Sequence, residues 1–129
     1  MNKSLSLFYV FVLLLSFSSC TKDNDDNISN NYSSIVGVWE QEGFMDVSGQ
    51  RLVFAPDQTG IKIFKSTDGE FVTSTASMCS WEYTSNMVTV YEVDVVIGVY
   101  TLSSEGQLIS ENSEELPFDK ISDTTLDYY

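Results

Sequence analysis

Met87-Val88-Thr89-Val90-Tyr91-Glu92-Val93, followed after one aspartate by Val95-Val96-Ile97-Gly98-Val99-Tyr100-Thr101-Leu102, is built almost wholly of β-branched and aromatic residues. Such residues at period two are the mark of a strand, whose side chains point alternately to its two faces. Outward from this stretch the same pattern recurs. Residues 35–42 alternate, with Ile35, Gly37, Trp39 and Gln41 on one face. Residues 51–55 put Leu52 with Phe54, residues 61–65 align Ile61 with Ile63, and residues 70–78 are rich in Thr, Val and Ser. Trp81 and Tyr83 share a face. After the N-terminal apolar run, no stretch of helical length keeps apolar residues at helical spacing.

Turn residues punctuate these runs at Ser48-Gly49, Pro56-Asp57-Gln58-Thr59-Gly60, Asp68-Gly69, Ser85-Asn86, Glu105-Gly106, Asn112-Ser113 and Ser122-Asp123. Gly, Asn, Asp and Pro tolerate the dihedral angles that turns need. Short strands joined by close hairpins predict an all-β fold, a small antiparallel up-and-down β-barrel, with a β-sandwich as the alternative. The absence of a long crossover favours the barrel. Gly98, inside its strand, predicts a bend or bulge, since it has no side chain to pack.

The first 34 residues read differently. Lys3 opens a short basic region, residues 5–15 are apolar apart from Ser6, and Phe17-Ser18-Ser19-Cys20 closes the segment with small residues and a thiol. This is the layout of a secretory signal peptide, too short for the roughly 20 apolar residues of a spanning helix. The thiol at the cut resembles the lipobox of bacterial lipoproteins. That resemblance implies residues 1–19 as signal peptide and acylation of Cys20, which fixes the chain to a membrane. Lys22 with Asp23, Asp25 and Asp26 resembles the export signal that sends such lipoproteins of Bacteroidota-type bacteria to the outer face of the outer membrane. Residues 20–34, rich in Asn and Ser, are expected as a disordered tether with little apolar surface to bury. The folded domain is expected over residues 35–129.

Composition narrows the function further. Loss of Lys3 leaves 5 basic against 19 acidic residues, a balance of −14. Such a surface repels phosphate backbones, so no nucleic-acid partner is expected. It also resists adsorption to anionic lipid, which leaves membrane attachment to the acyl chains on Cys20. Oligomeric state has no sequence signal. Cys79 is then the sole remaining cysteine and is expected as a small buried hydrophobe; the sequence has no His to activate it as a nucleophile.

Gly37-Val38-Trp39 resembles the Gly-x-Trp that opens the first strand of lipocalins. Leu52-Val53-Phe54, Asp57-Gln58-Thr59-Gly60, Trp81-Glu82-Tyr83 and Gly106-Gln107-Leu108 follow in an order similar to that of small lipocalin-like domains in Bacteroidota lipoproteins. The resemblance implies that Gly37 and Trp39 close one end of the barrel, often beneath a basic residue of the last strand. Here residues 125–129, taken as that last strand, hold no Arg or Lys, and are expected as a partial edge. Asp123-Thr124-Thr125 resembles the sequon at which these bacteria attach O-glycans, which would modify Thr124.

Candidate chemistry is sparse. Glu40, Glu42, Glu82, Glu92 and Asp94 offer carboxylate pairs, but a chain this acidic shows such pairs by chance, and no enzyme activity, metal or cofactor is expected. Glu111, Glu114 and Glu115 lack the spacing of a calcium loop and are expected as a solvated loop. Small barrels fill their interior with side chains, and aromatics at a barrel mouth form the default ligand site. Trp81, Tyr83, Tyr91 and Tyr100 are the residues expected there. The resulting expectation is a surface-exposed, outer-membrane lipoprotein whose barrel binds a small apolar or glycan-like ligand. The alternative is an accessory subunit of an outer-membrane assembly with a solid core.

Overall fold

The computed structural model describes residues 32–129. Residues 1–19, expected as a signal peptide, Cys20 and the residues Lys22, Asp23, Asp25 and Asp26 lie outside the described residues. The eight strands are β1 (Gly37–Gln41), β2 (Gly49–Phe54), β3 (Thr59–Asp68), β4 (Phe71–Thr84), β5 (Met87–Glu92), β6 (Val95–Leu102), β7 (Leu108–Ser110) and β8 (Phe118–Ser122). Each pairs antiparallel with its neighbour in the chain, and β8 returns to β1, which closes an up-and-down barrel. The sandwich alternative is excluded by that closure.

Alternation sets the interior. Trp39, Leu52, Phe54, Cys79, Trp81, Val88, Val90, Tyr100, Leu108 and Phe118 form one core with Ile35. Trp81 packs against Phe54 and, edge to face, against Tyr32, while Tyr100 meets Phe118 edge to face. Tyr32 therefore belongs to the packed unit: its carbonyl accepts from the Ile35 and Val36 N–H groups. Tyr32, expected within the tether, thus packs with the domain.

The bulge expected at Gly98 is present, as a register shift in the β5–β6 pairing between Val90 and Tyr91. A Cβ on Gly98 would lie 2.6 Å from the Tyr100 hydroxyl oxygen, so the missing side chain makes room for the phenol.

Several strand bounds differ from the sequence reading. Residues 71–78 and the Trp81-Tyr83 segment form one long strand, β4. Val93, read as a strand residue, is the first central residue of the β5–β6 turn, with φ of 47° beside 64° at Asp94. Two positive φ values are what a tight hairpin turn demands, matching the strands' twist. The last strand is Phe118–Ser122, not residues 125–129. The latter hold a 3-10 turn, Leu126–Tyr128, tied to the outer wall where Arg51 Nη1 donates to the Tyr128 hydroxyl at 2.8 Å.

That shift restores the basic residue at the barrel end. Lys120 in β8 places its Nζ 5.7 Å from the centre of the Trp39 ring, donates to the Ser34 carbonyl and pairs with Asp123 at 2.6 Å. Trp39 Nε1 donates to the Ile35 carbonyl at 2.7 Å. Gly37, at φ 138°, has the Ser122 carbonyl 2.2 Å from where a Cβ would stand, which no side chain tolerates. Gly37, Trp39 and Lys120 thus lock β8 to β1, and residues 32–36 plug this end.

Candidate functional site

Opposed residues of an antiparallel pair share a face. Trp81 opposes Val90, and both are core; Ser80 opposes Tyr91, so Tyr91 points to the outer wall. Its hydroxyl lies 3.3 Å from Glu82 Oε2 there, and that neighbouring carboxylate adds to desolvation in raising the phenol pKa. Trp81 is wholly buried, and its Nε1 donates to the Thr59 carbonyl at 2.9 Å and to the Ala55 carbonyl at 3.2 Å. Tyr83 sits at the plugged end, donating to Asn86 Oδ1. The four aromatics expected to form one mouth are therefore separated. Trp81 is a core plug, Tyr91 is outside, and only Tyr100 reaches toward the opposite end. Period-two spacing within each strand was legible, but the register between strands was not.

The opposite end, from which the β3–β4 hairpin projects, has a different lining. Leu52 is core, so Lys62 and Ser77 across from it face inward; one layer further out, Gln50 faces inward with Phe64 and Thr75. Phe64 points into the barrel and is still 48% exposed, so the interior is unfilled at that level. Gln41, buried, joins two walls of this mouth: its Oε1 accepts from the Gln50 N–H at 2.9 Å and its Nε2 donates to the Leu116 carbonyl at 3.0 Å. The bond to Leu116 draws in the loop of residues 111–117. Glu111 and Glu114 stay exposed, but Glu115 Oε2 is buried, which corrects the reading of all three as solvated.

Two oxygens in this mouth, Gln50 Oε1 and Glu115 Oε2, are buried without a hydrogen-bond partner among the described residues. The floor is Tyr100 and Cys79. Burial first, then the Glu115 charge, pushes the Tyr100 phenol pKa well above its usual value. Burial pushes the Cys79 thiol up to about 11; Lys62 opposes that rise and Glu92 adds to it. Cys79 is free and buried, hence a poor nucleophile at neutral pH. Among the described residues, no group of three potential ligands is placed to hold a metal ion.

A cleft of about 360 Å³ lies at the plugged end, lined by Tyr32, Ser33, Val36, Pro56 and Asp123. Its carboxylate is already neutralised by Lys120, which also lowers the Asp123 pKa. Thr124 is exposed just beyond β8, its N–H donating to Ser122 Oγ and its Oγ1 accepting from the Leu126 N–H.

Gln50, Lys62 and Phe64 were not singled out as site residues from sequence, and Glu115 was read only as part of a solvated loop. The available signal was a lysine between Ile61 and Ile63, which becomes informative once the Leu52–Lys62 pairing is known. No family model, curated protein or solved structure matches this chain.

Proposed function

We propose that this protein is a lipid-anchored, outer-membrane binding module, displayed at the cell surface, that takes a small glycan-like ligand at the hairpin end of its barrel. The observation that carries this reading is the pair of buried acceptors, Gln50 Oε1 and Glu115 Oε2, that have no partner among the described residues. A buried acceptor left unsatisfied costs about 1–3 kcal/mol, and a ligand hydroxyl that donates to it recovers that cost. An apolar ligand would seal both oxygens away from water, so the same site disfavours it. Phe64 offers an exposed ring face for the C–H surface of a sugar, and Lys62 supplies donors for its ring or hydroxyl oxygens. No bond-making chemistry is assigned to the site.

The signal-peptide layout and Cys20 support the anchor, and the acidic segment Lys22 to Asp26 supports outward display. Replacement of Cys20 by Ser is expected to abolish labelling by a fatty-acid analogue. Replacement of Lys22, Asp23, Asp25 and Asp26 by Ala is expected to remove the protein from the reach of external protease. O-glycosylation at Thr124 is expected to add mass that Thr124→Ala removes.

Calorimetry with a panel of mono- and oligosaccharides, beside an apolar dye, tests the ligand class. Wild-type protein is expected to bind a saccharide. Gln50→Leu and Glu115→Leu are each expected to weaken that binding tenfold or more without lowering the melting temperature. Dye binding without saccharide binding would defeat the proposal.

The accessory-subunit reading has its own observation: Met45, Val47, Phe71, Val72, Val93 and Val95 are exposed apolar side chains on loops and strands toward the hairpin end. Exposed apolar side chains gathered at one end of a domain favour contact with another protein.

A further inference from the structure

β4 is the longest strand, and β5 pairs with it only from Ser80 to Thr84. Phe71 to Cys79 pair with β3 on one side and with no described strand on the other. Every second residue of that run aims its N–H and C=O away from β3, leaving a row of unused backbone groups. The opposite margin of the same hairpin is covered. Lys65 Nζ donates to the Met45 carbonyl and Thr67 Oγ1 to the Val47 carbonyl, so the loop of residues 42–48 fastens along β3. The β4 margin has no such cover among the described residues.

Three features of this edge select its occupant. The chain has 19 acidic and 6 basic residues, so contact between two copies brings carboxylates together almost anywhere. Between Glu70 and Glu82, however, no residue is charged. The edge is also self-complementary. With a two-fold axis at Thr75, an antiparallel second β4 would set Val72 opposite Met78, Thr73 opposite Ser77 and Ser74 opposite Ala76. Val72 and Met78, 60% and 61% exposed, stand on the outer face of the strand and would cover each other twice in the dimer. Finally, this register uses residues 72–78 alone and stops short of Ser80, where β5 begins to pair.

We propose that β4 is a dimerisation edge, at which a second copy of this chain adds its own β4 antiparallel about a two-fold axis at Thr75. Such an isologous contact consumes the bare edge of both copies and closes at two. A strand that would otherwise invite open-ended pairing is thereby satisfied.

Cysteine cross-linking in the detergent-solubilised full chain tests the register. On the axis, the two copies of residue 75 oppose each other with Cα atoms about 4.5–5.5 Å apart, within disulfide range. Residue 73 faces residue 77 of the other copy, and the two residues 73 lie about 13 Å apart along the strands. Thr75→Cys is therefore expected to give a covalent dimer under mild oxidation, and Thr73→Cys little or none. Sedimentation of the wild-type chain is expected to give twice the monomer mass at about 100 μM. The double variant Val72→Glu with Met78→Glu is expected to give a monomer with an unchanged far-ultraviolet circular dichroism spectrum. A monomeric wild-type chain would overturn the proposal. So would equal cross-linking at 73 and 75, open-ended oligomers, or a Thr75→Cys adduct with a different protein.

Discussion

The two ends of this barrel are made from the same strands and organised by opposite priorities. At the plugged end every inward position is filled: Trp39 sits beneath Lys120, Trp81 is wedged between Phe54 and Tyr32, and the indole N–H groups donate to backbone carbonyls. At the hairpin end the inward positions are Gln50, Lys62, Phe64, Thr75 and Ser77, and among the described residues two buried oxygens have no partner and one strand edge is unpaired. A domain of about 100 residues has little stability to spare. Concentrating apolar packing at one end leaves the other free to carry polar groups that would weaken a core. Stability and recognition are therefore separable along the barrel axis.

The largest expected effect tests that separation directly. Trp81→Ala removes a fully buried indole and should cost about 3–5 kcal/mol, whereas Phe64→Ala at the hairpin end should change stability by less than about 0.5 kcal/mol. Chemical denaturation of both variants makes the comparison; equal losses would show that the ends share one core. Arg51→Ala comes next. Its guanidinium holds Glu40 through Nε at 2.8 Å and Nη2 at 2.5 Å, bonds the Tyr128 hydroxyl and lies 4.4 Å from the centre of the Phe44 ring. Its loss should cost about 1.5–3 kcal/mol and free the C-terminal turn, read as faster amide exchange at Tyr128.

Val93 should show the reverse sign. A β-branched residue at positive φ is strained by roughly 1–2 kcal/mol, and 90% exposure means that its side chain is nearly out of the packing. Val93→Asn, which tolerates the left-handed region, should therefore raise stability by about 1 kcal/mol in a thermal melt. Such strain persists at the hairpin end because little packing there depends on it.

The smallest effects are electrostatic and sharpen the lining of the mouth. Lys62 favours the Cys79 thiolate and Glu92 disfavours it. Lys62→Met should move the alkylation pH profile of Cys79 upward from about 11, and Glu92→Gln should move it downward. Failure of the two shifts to oppose each other would remove Lys62 from the mouth. Both Cys79 and Tyr100 ionise at higher pH in the folded chain than in the unfolded one. Their neutral forms are common to both states below about pH 9, so stability there is unaffected. It should fall as pH rises from 9.0 through about 11, because the unfolded thiol ionises first.

The fold was readable because strands announce themselves locally. Residues 87–102 alternate with period two, and Gly98 marks the bulge in their pairing. β7 and β8 were nearly silent, since three residues, or five that include Asp119 and Lys120, hold too little periodicity to register. Residues 125–129 carried the aromatic signal of a strand and instead dock outside the barrel, where Arg51 receives Tyr128. The site was less legible still. Its members come from β2, β3 and the loop before β8, far apart in the chain and unremarkable in any one of them.

Sequence alone settled the strand-and-turn pattern, the direction of the hairpins and the acidic surface, because alternation, turn dihedrals and charge are properties of neighbouring residues. Tertiary structure alone decided which aromatics are core and which lie outside, that Lys120 rather than a later residue covers Trp39, and that Lys62 and Gln50 face inward while a Glu115 oxygen is buried. The physical reason is register. A strand shows which residues share a face, but only its pairing with the next strand turns that face toward the interior, and a slip of one residue would reverse every assignment.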